Sequence, residues 1–420
     1  MEYQLLSIYK YNGSGQSKSV EEVEDEYKRR LNGYSSVVTN LYPTLDINDY
    51  EQSSKYPIFF VQTNEINSLV NHILHNSKEI SSIAINLPGV ARNSYTRQLL
   101  TKEIYFTNEI EGVKTNKKEI ETIVGEVEDN KKTKKRLAST VRLYNMTINN
   151  KPSRIDELSD FRKIYDELLK GEINDSDLPD GELFRNEKDV FIGNELKKVH
   201  IPPKSETEIQ TKLTSLIKLM NDDEITDVVK SLITHFMFEN THPFYDGNGR
   251  MGRYLLSSYL ANKLDTYSGL SISGAIHAEQ SSYYKTFKQA DNFDNRADLT
   301  LFIKKMLEII RHGQEDVIEN LTMLSGKLKN ALDICESTFE DNIERTVMYI
   351  FSQSDLFSES QDTGIKDTDL VNFLYDDDHK KFHKSLVRRT LKKLEDKNVL
   401  IKIKDKPAQH IINSDLINIR

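Results

Sequence analysis

Within one run of twelve residues, His242-Pro243-Phe244-Tyr245-Asp246-Gly247-Asn248-Gly249-Arg250-Met251-Gly252-Arg253, the chain gathers a base, a carboxylate, three glycines and two arginines. A turn alone needs only one or two of these. His242 offers an imidazole whose ordinary pKa of about 6.5 lets it accept a proton near neutrality. Asp246 is a hard carboxylate of the kind that holds Mg²⁺ together with substrate phosphates and water. Arg250 and Arg253 are spaced i, i+3, so on a helix their guanidinium groups converge on one cluster of oxygens, and their bidentate donors suit phosphate. A base, a metal carboxylate and a polyphosphate cradle in one loop point to nucleotidyl or phosphoryl transfer to a hydroxyl.

Two helices must carry that loop. Val228, Val229, Leu232, Ile233, Phe236 and Met237 recur at helical spacing before it, and Pro243 stops this helix just after His242. Met251, Leu255, Leu256, Tyr259 and Leu260 start a second stripe. Gly247 and Gly249 permit backbone angles and approaches closed to other residues. A glycine loop feeding a helix N-terminus leaves free N–H groups facing one point, which makes an anion site.

The rest of the 420-residue chain bounds the setting. Its length suggests about three units of roughly 150 residues. A formal charge of -9 argues against a chain-wide cationic surface for nucleic acid or anionic lipid, although local basic faces are compatible with it. Cys335 is the single cysteine, so no internal disulfide forms and a cysteine-cluster metal site is excluded. The N-terminus has no secretory pattern and no run approaches about 18 apolar residues, so a cytoplasmic location without a membrane span is expected. Helical spacing prevails from Glu65 onward, and the Lys- and Glu-rich stretch from Asn116 to Arg136 reads as solvated helix or loop. Residues 1–60 show no clear order. Between Gly181 and Pro203 short alternating runs around Gly193-Asn194 predict a β-hairpin. Near the C-terminus, helices with an N-cap pair at Thr368-Asp369 and two short strands about Lys404-Asp405-Lys406-Pro407 suggest a winged helix-turn-helix. His72, His75, His235, His277, His312, His379 and His383 show no metal-ligand spacing with acidic partners.

The loop resembles the signature HPFx[DE]GNGRxxR of the Fic family, matching it at every specified position. The resemblance implies a mainly α fold: a Fic helical core with a small β-hairpin flap, followed here by a C-terminal winged-helix (α+β) domain. It implies transfer of AMP from ATP to a Ser, Thr or Tyr hydroxyl of a protein. His242 would then deprotonate the acceptor, Asp246 would bind Mg²⁺, Gly247, Asn248, Gly249 and Arg250 would hold phosphates, and Arg253 the γ-phosphate. Val190-Phe191-Ile192-Gly193, followed by His200-Ile201-Pro202-Pro203, resembles the flap that covers the nucleotide and aligns the target by strand pairing. Tyr283-Tyr284 and Asp291 resemble the adenosine-side segment, although the family pattern usually has Asn where Asp291 falls. Thr107-Asn108-Glu109-Ile110-Glu111-Gly112 matches the inhibitory motif [ST]xxxE[GN] in the N-terminal, class II position. Thr107 and Glu111 share a helix face, and Glu111 would pair with Arg253 and exclude productive ATP.

The organisation expected is an N-terminal, mostly helical region at 1–100, a catalytic core at 101–325 with an inhibitory helix near 100–113 and a flap near 184–203, and a winged-helix domain at 335–420. The expected partner is a protein with an acceptor hydroxyl, including the chain itself; self-association is left open. Lys384, Arg388, Arg389, Lys392 and Lys393 form a basic helix face suited to DNA phosphates or to plain solvation. Three alternatives stand beside AMP transfer: removal of AMP by the same site with Glu111 positioning water, a nucleotide-sensing DNA-binding regulator, and kinase-like or phosphocholine transfer.

Overall fold

The computed structural model describes all residues except 1–2, 12–16, 49, 129–132, 134, 150–153, 187–189, 195–196, 359–363 and 414–420. The chain divides into two compact units, one of Met1–Lys78 with Lys102–Glu315, the other of Glu79–Thr101 with Asp316–Arg420. The fold is mainly α, with a few short strands.

The first unit is built around Asp227–Thr241, here termed the histidine helix, and Asn248–Lys263, the cradle helix. Of the 15 residues in the histidine helix, those from Val228 to Phe238 are all buried. A helix apolar nearly all round belongs in a core, and Leu232, Ile233, Phe236 and Met237 have no exposed surface. Burial of each such side chain stabilises by about 1.5–3 kcal/mol, and Leu232→Ala would cost about 2–5 kcal/mol through the cavity it leaves. Phe236 packs edge-on against Phe302, with centroids 5.2 Å apart.

Helices Leu158–Leu168 and Glu206–Met220 flank this pair. Lys117–Glu128 lies in the charged stretch read as solvated, yet Ile120, Ile123 and Val124 are fully buried along one side of it. Residues 1–60, unordered in the sequence reading, hold strand Ser36–Val38 paired antiparallel with Phe59–Val61, and Leu45–Asp46 paired with Gln52–Ser53.

The flap pairs Ile192–Asn194 with Lys197–His200 antiparallel. Gly193 and Asn194 stand in the first strand, paired with Lys198 and Lys197, not at the turn, and the register shifts between Ile192 and Gly193. Glycine suits the local distortion of such a bulge. The connecting residues, 195–196, lie outside those described.

In the second unit, helices Asn342–Phe357, Asp367–Asp377 and Lys384–Asp396 accompany a three-stranded antiparallel sheet. Its order places Ala408–Ile412 between Ile365–Lys366 and Leu400–Asp405, so one more strand joins the two predicted. The capping pair was misplaced: the helix starts at Asp367 after Lys366, without a side-chain cap, and Thr368 and Asp369 fall in its first turn. Val387, Leu391 and Leu394 bury one face of the basic helix. On its other side Lys384 donates to Asn372, Lys392 pairs with Asp396 and Lys393 with Glu344, while Arg388 and Arg389 are exposed. No helix among the described residues is long and apolar enough to cross a membrane.

Candidate active site

The histidine helix ends where its sequence requires. The His242 N–H still donates to Phe238 O at 2.9 Å, but its φ of 47° and ψ of 60° are left-handed and Pro243 forbids a further turn. Left-handed backbone costs a non-glycine residue about 1–2 kcal/mol, so neighbours must hold it. Arg185, 1% exposed, does so. Its Nε donates to His242 O at 2.7 Å and its Nη2 to Pro203 O at 2.7 Å and Thr241 O at 3.4 Å, while its backbone N–H donates to Pro243 O at 3.1 Å. The resulting positive charge has an electrostatic effect too. Burial first, then the charges of Arg185 and His200, push the His242 pKa down to about 3, against a weak opposite pull from the Glu239 backbone. His242 is therefore unprotonated near neutral pH, although a weaker base than a free imidazole.

The loop is fixed from inside. Asn248 Nδ2 donates to Phe244 O at 2.8 Å and Asn248 Oδ1 accepts from Phe244 N–H at 2.9 Å. That commits the Asn248 side chain to the loop and leaves its backbone at the helix N-terminus as the part free for an anion. Phe244 stacks on Tyr165 with centroids 3.7 Å apart, and Tyr165 donates to Asp246 O at 3.2 Å. Gly247 caps the cradle helix at φ 81°, a backbone conformation strained for any residue with a side chain, and a Cβ there would also displace Leu169 Cδ1, 2.1 Å away.

Asp246 Oδ1 accepts from Gly247 N–H at 2.6 Å and Oδ2 lies 3.4 Å from Arg250 Nη2, with the side chain 47% exposed. A single open carboxylate beside an anion nest matches the donor set Mg²⁺ takes when phosphates and water supply the rest. Arg250, 5% exposed, pairs through Nη1 with Glu172 Oε2 at 3.1 Å, and Glu172 is only 3% exposed. Burial raises the Glu172 pKa, with Arg250 and then Arg136 opposing.

Arg253, with its side chain 1% exposed, is held by Thr107 and Glu111. Its Nε donates to Thr107 Oγ1 at 2.9 Å, and its Nη2 to Thr107 O at 3.0 Å and Glu111 Oε1 at 2.8 Å. Burial opposes its charge, but Glu111, Tyr283 and Glu239 together raise its pKa. Thr107 is near the end of the clamp helix, Gly89–Ile110. Gly112 at φ 69° stops that helix, a glycine C-cap, and Glu111 projects from the stop. A Cβ on Gly249 would meet Glu111 Oε1 at 2.2 Å, so the carboxylate rests directly on the glycine nest. One turn earlier, Glu103 Oε2 accepts from Ser273 N–H and Oε1 from Ser273 Oγ, both at 2.7 Å. Burial raises Glu103 to about 7 despite those bonds.

His242, Asp246, Gly247, Asn248, Gly249, Arg250, Arg253, Thr107 and Glu111 thus converge. Tyr283 is buried with its hydroxyl 2.9 Å from His235 Nε2, while neighbouring Tyr284 is 48% exposed. Asp291 accepts from Asn240 Nδ2 at 2.8 Å. Val190, Phe191 and Ile192 are half-buried at the start of the flap, and only the backbone of Gly193 is described. Sequence reasoning missed Arg185, Glu172, Glu103 and Glu239. Burial raises Glu239 to about 8, with Arg253 opposing and Glu111 adding.

Residues 155–260 match the Fic/DOC family, so the chain carries a Fic/DOC family domain. That segment includes the flap and the loop but not Glu111. Over 98 residues the chain is 34% identical to a protein of Aquifex aeolicus named a probable protein adenylyltransferase, which covers 23% of this chain. The chain spans about a quarter, 27%, of the length of that curated relative. Among solved structures, a Fic family protein from Desulfovibrio desulfuricans is 20% identical with a TM-score of 0.46, covering 84% of this chain and 96% of its own. Residues 134–508 of Fic-1 from C. elegans are 17% identical with a TM-score of 0.42, covering 61% of this chain and 74% of their own.

Proposed function

We propose that this chain is a protein adenylyltransferase that transfers AMP from ATP to a protein hydroxyl and is auto-inhibited by Glu111. The observation that carries the reading is the placement of Glu111 Oε1 on both Arg253 Nη2, at 2.8 Å, and the Gly249 backbone. An anion bound by the nest and Arg253 must occupy that same point, so a γ-phosphate and the Glu111 carboxylate exclude one another. The Aquifex aeolicus relative's name supports the choice of AMP transfer.

With Glu111 displaced, Arg253 and the N-terminus of the cradle helix take the terminal phosphate. Neutral His242 removes the acceptor proton as the hydroxyl attacks the α-phosphorus, and pyrophosphate leaves. Mg²⁺ held by Asp246 supplies charge neutralisation of the phosphates. The arginines and backbone N–H groups fix geometry and stabilise charge, which is most of what phosphoryl-type transfer asks of a protein. The flap edge aligns the target segment by strand pairing. Removal of AMP is the second reading: Glu111, 28% exposed, reaches solvent at the cradle and can orient a water. A role for the C-terminal unit in binding DNA rests on the exposed Arg388 and Arg389 and is the weaker part of this reading.

The test uses α-labelled and, separately, γ-labelled ATP with wild type, Glu111→Gly and His242→Ala. We expect α-label on the Glu111→Gly protein, little on wild type and none on His242→Ala. Transfer of γ-label would establish a kinase, and no transfer to the chain or to a lysate by any variant would overturn AMP transfer.

A further inference from the structure

Outside the cradle, three side chains from distant parts of the first unit converge. They are Asp46 at the end of strand Leu45–Asp46, His200 at the end of the flap strand, and Asp291 at the end of helix Gln280–Asp291. One ligand atom from each lies within 4.8 Å of the others. His200 Nδ1 is 2.8 Å from Asp46 Oδ2 and 3.9 Å from Asp291 Oδ2. An ion bonded at about 2.0–2.2 Å to nitrogen and oxygen separates tetrahedral ligands by about 3.3–3.6 Å, so an ion would open the 2.8 Å hydrogen-bonded pair and close the 3.9 Å pair, each by about half an ångström.

The remaining atoms of all three groups are occupied by an outer layer of hydrogen bonds. His200 Nε2 faces Asn240 O at 2.9 Å, Asp46 Oδ1 accepts from Ile201 N–H at 3.3 Å, and Asp291 Oδ1 accepts from Asn240 Nδ2 at 2.8 Å. Asn240 is itself locked to Thr44, accepting from its N–H at 2.9 Å and donating to its carbonyl at 2.8 Å. Nε2 faces a carbonyl and so carries a ring proton; loss of the second proton, which Nδ1 now shares with Asp46, would leave the Nδ1 lone pair facing the two carboxylates, ready for an ion. An outer partner that fixes the histidine tautomer and orients the carboxylates is the usual second layer of a metal centre.

Charge gives the same result. Side-chain exposures are 2% for His200, 8% for Asp291 and 18% for Asp46. The buried Asp291, the half-buried Asp46 and a neutral imidazole carry a charge of -2; one proton leaves -1, while a divalent cation leaves none.

We propose that His200 Nδ1, Asp46 Oδ2 and Asp291 Oδ2 bind one Zn²⁺, with water completing the coordination on the more open Asp46 side. The imidazole nitrogen favours a borderline ion over Mg²⁺ or Ca²⁺. The ion ties the base of the flap to Asn240, two residues before His242, and its charge adds to the field that keeps His242 neutral. Asp46, His200 and Asp291 are positioning residues in this role.

The test uses the untagged full-length chain, stripped with chelator and titrated with Zn²⁺ by calorimetry, with metal content measured after dialysis. One equivalent is expected in wild type and in Asp246→Asn, with Tm rising by about 5 °C or more. His200→Ala and Asp291→Asn should lose that equivalent. Asp46→Asn, the most exposed of the three, should keep the fold by circular dichroism and weaken binding at least about tenfold. Co²⁺ added to wild type should give visible ligand-field bands that Zn²⁺ abolishes. Absence of those bands, uptake indifferent to Asp46→Asn, or a Tm unmoved by Zn²⁺ would each overturn the site and leave a protonated His200 as the group between the carboxylates.

Discussion

The two arginines of the cradle stand three residues apart on one helix and are each paired with a carboxylate from far along the chain, yet the two pairs are built differently. Glu172, 3% exposed, meets Arg250 inside the fold, and Arg250 also lies 3.4 Å from the Asp246 carboxylate. Glu111, 28% exposed, meets Arg253 from the end of a helix that stops at Gly112. Removing one partner of a buried pair strands the other charge and is strongly destabilising, whereas a carboxylate at a helix end reaches water when it leaves. On the proposed reading the Glu172 pair is a fixture that aims Arg250, and the Glu111 pair is a plug that can be drawn.

That contrast breaks first at Glu172. In a Glu111→Gly background, Glu172→Gln should lower AMP transfer by about 10–100-fold and cost about 2–3 kcal/mol of stability; transfer equal to the parent would mean Arg250 needs no aiming. Arg185→Lys removes the fork that holds His242 O, Thr241 O and Pro203 O. It should lower transfer by about tenfold with KM for ATP little changed, because the loss falls on the base. Glu103→Gln, in otherwise wild-type protein, loosens the anchor of the clamp helix one turn before Thr107. A rise in transfer of a few-fold is expected from the lost hydrogen bond, worth about 1 kcal/mol. The smallest effect is that of pH. With His242 held at about 3 by burial, Arg185 and His200, its neutral, proton-accepting form is fully populated above that value. The rate limb owed to His242 should therefore be absent between pH 8 and about 5.5, and a tenfold fall centred near 6.5 would show an ordinary imidazole.

The parts of this site legible in the sequence were those whose chemistry is local. His242 to Arg253 is one contiguous loop, so glycine backbone freedom, the proline stop and i, i+3 arginines speak for themselves, and Thr107 with Glu111 sits on one helix face. Arg185 is 57 residues from His242 and Glu172 is 78 from Arg250; each is a single charged residue in a charged chain, and only burial distinguishes it. Gly193-Asn194 looked like a turn because turn and bulge both call for glycine. Helical spacing located the long helices, while the strands of two or three residues near the N-terminus are too short for alternation to register.

The plug is tested most directly by titrating ATP and ADP, each with Mg²⁺, into wild type and Glu111→Gly by calorimetry. If Glu111 excludes only the terminal phosphate, as proposed, its removal should tighten ATP by about 10–100-fold and leave ADP within about twofold. Equal tightening of both nucleotides, or none of ATP, would contradict the account.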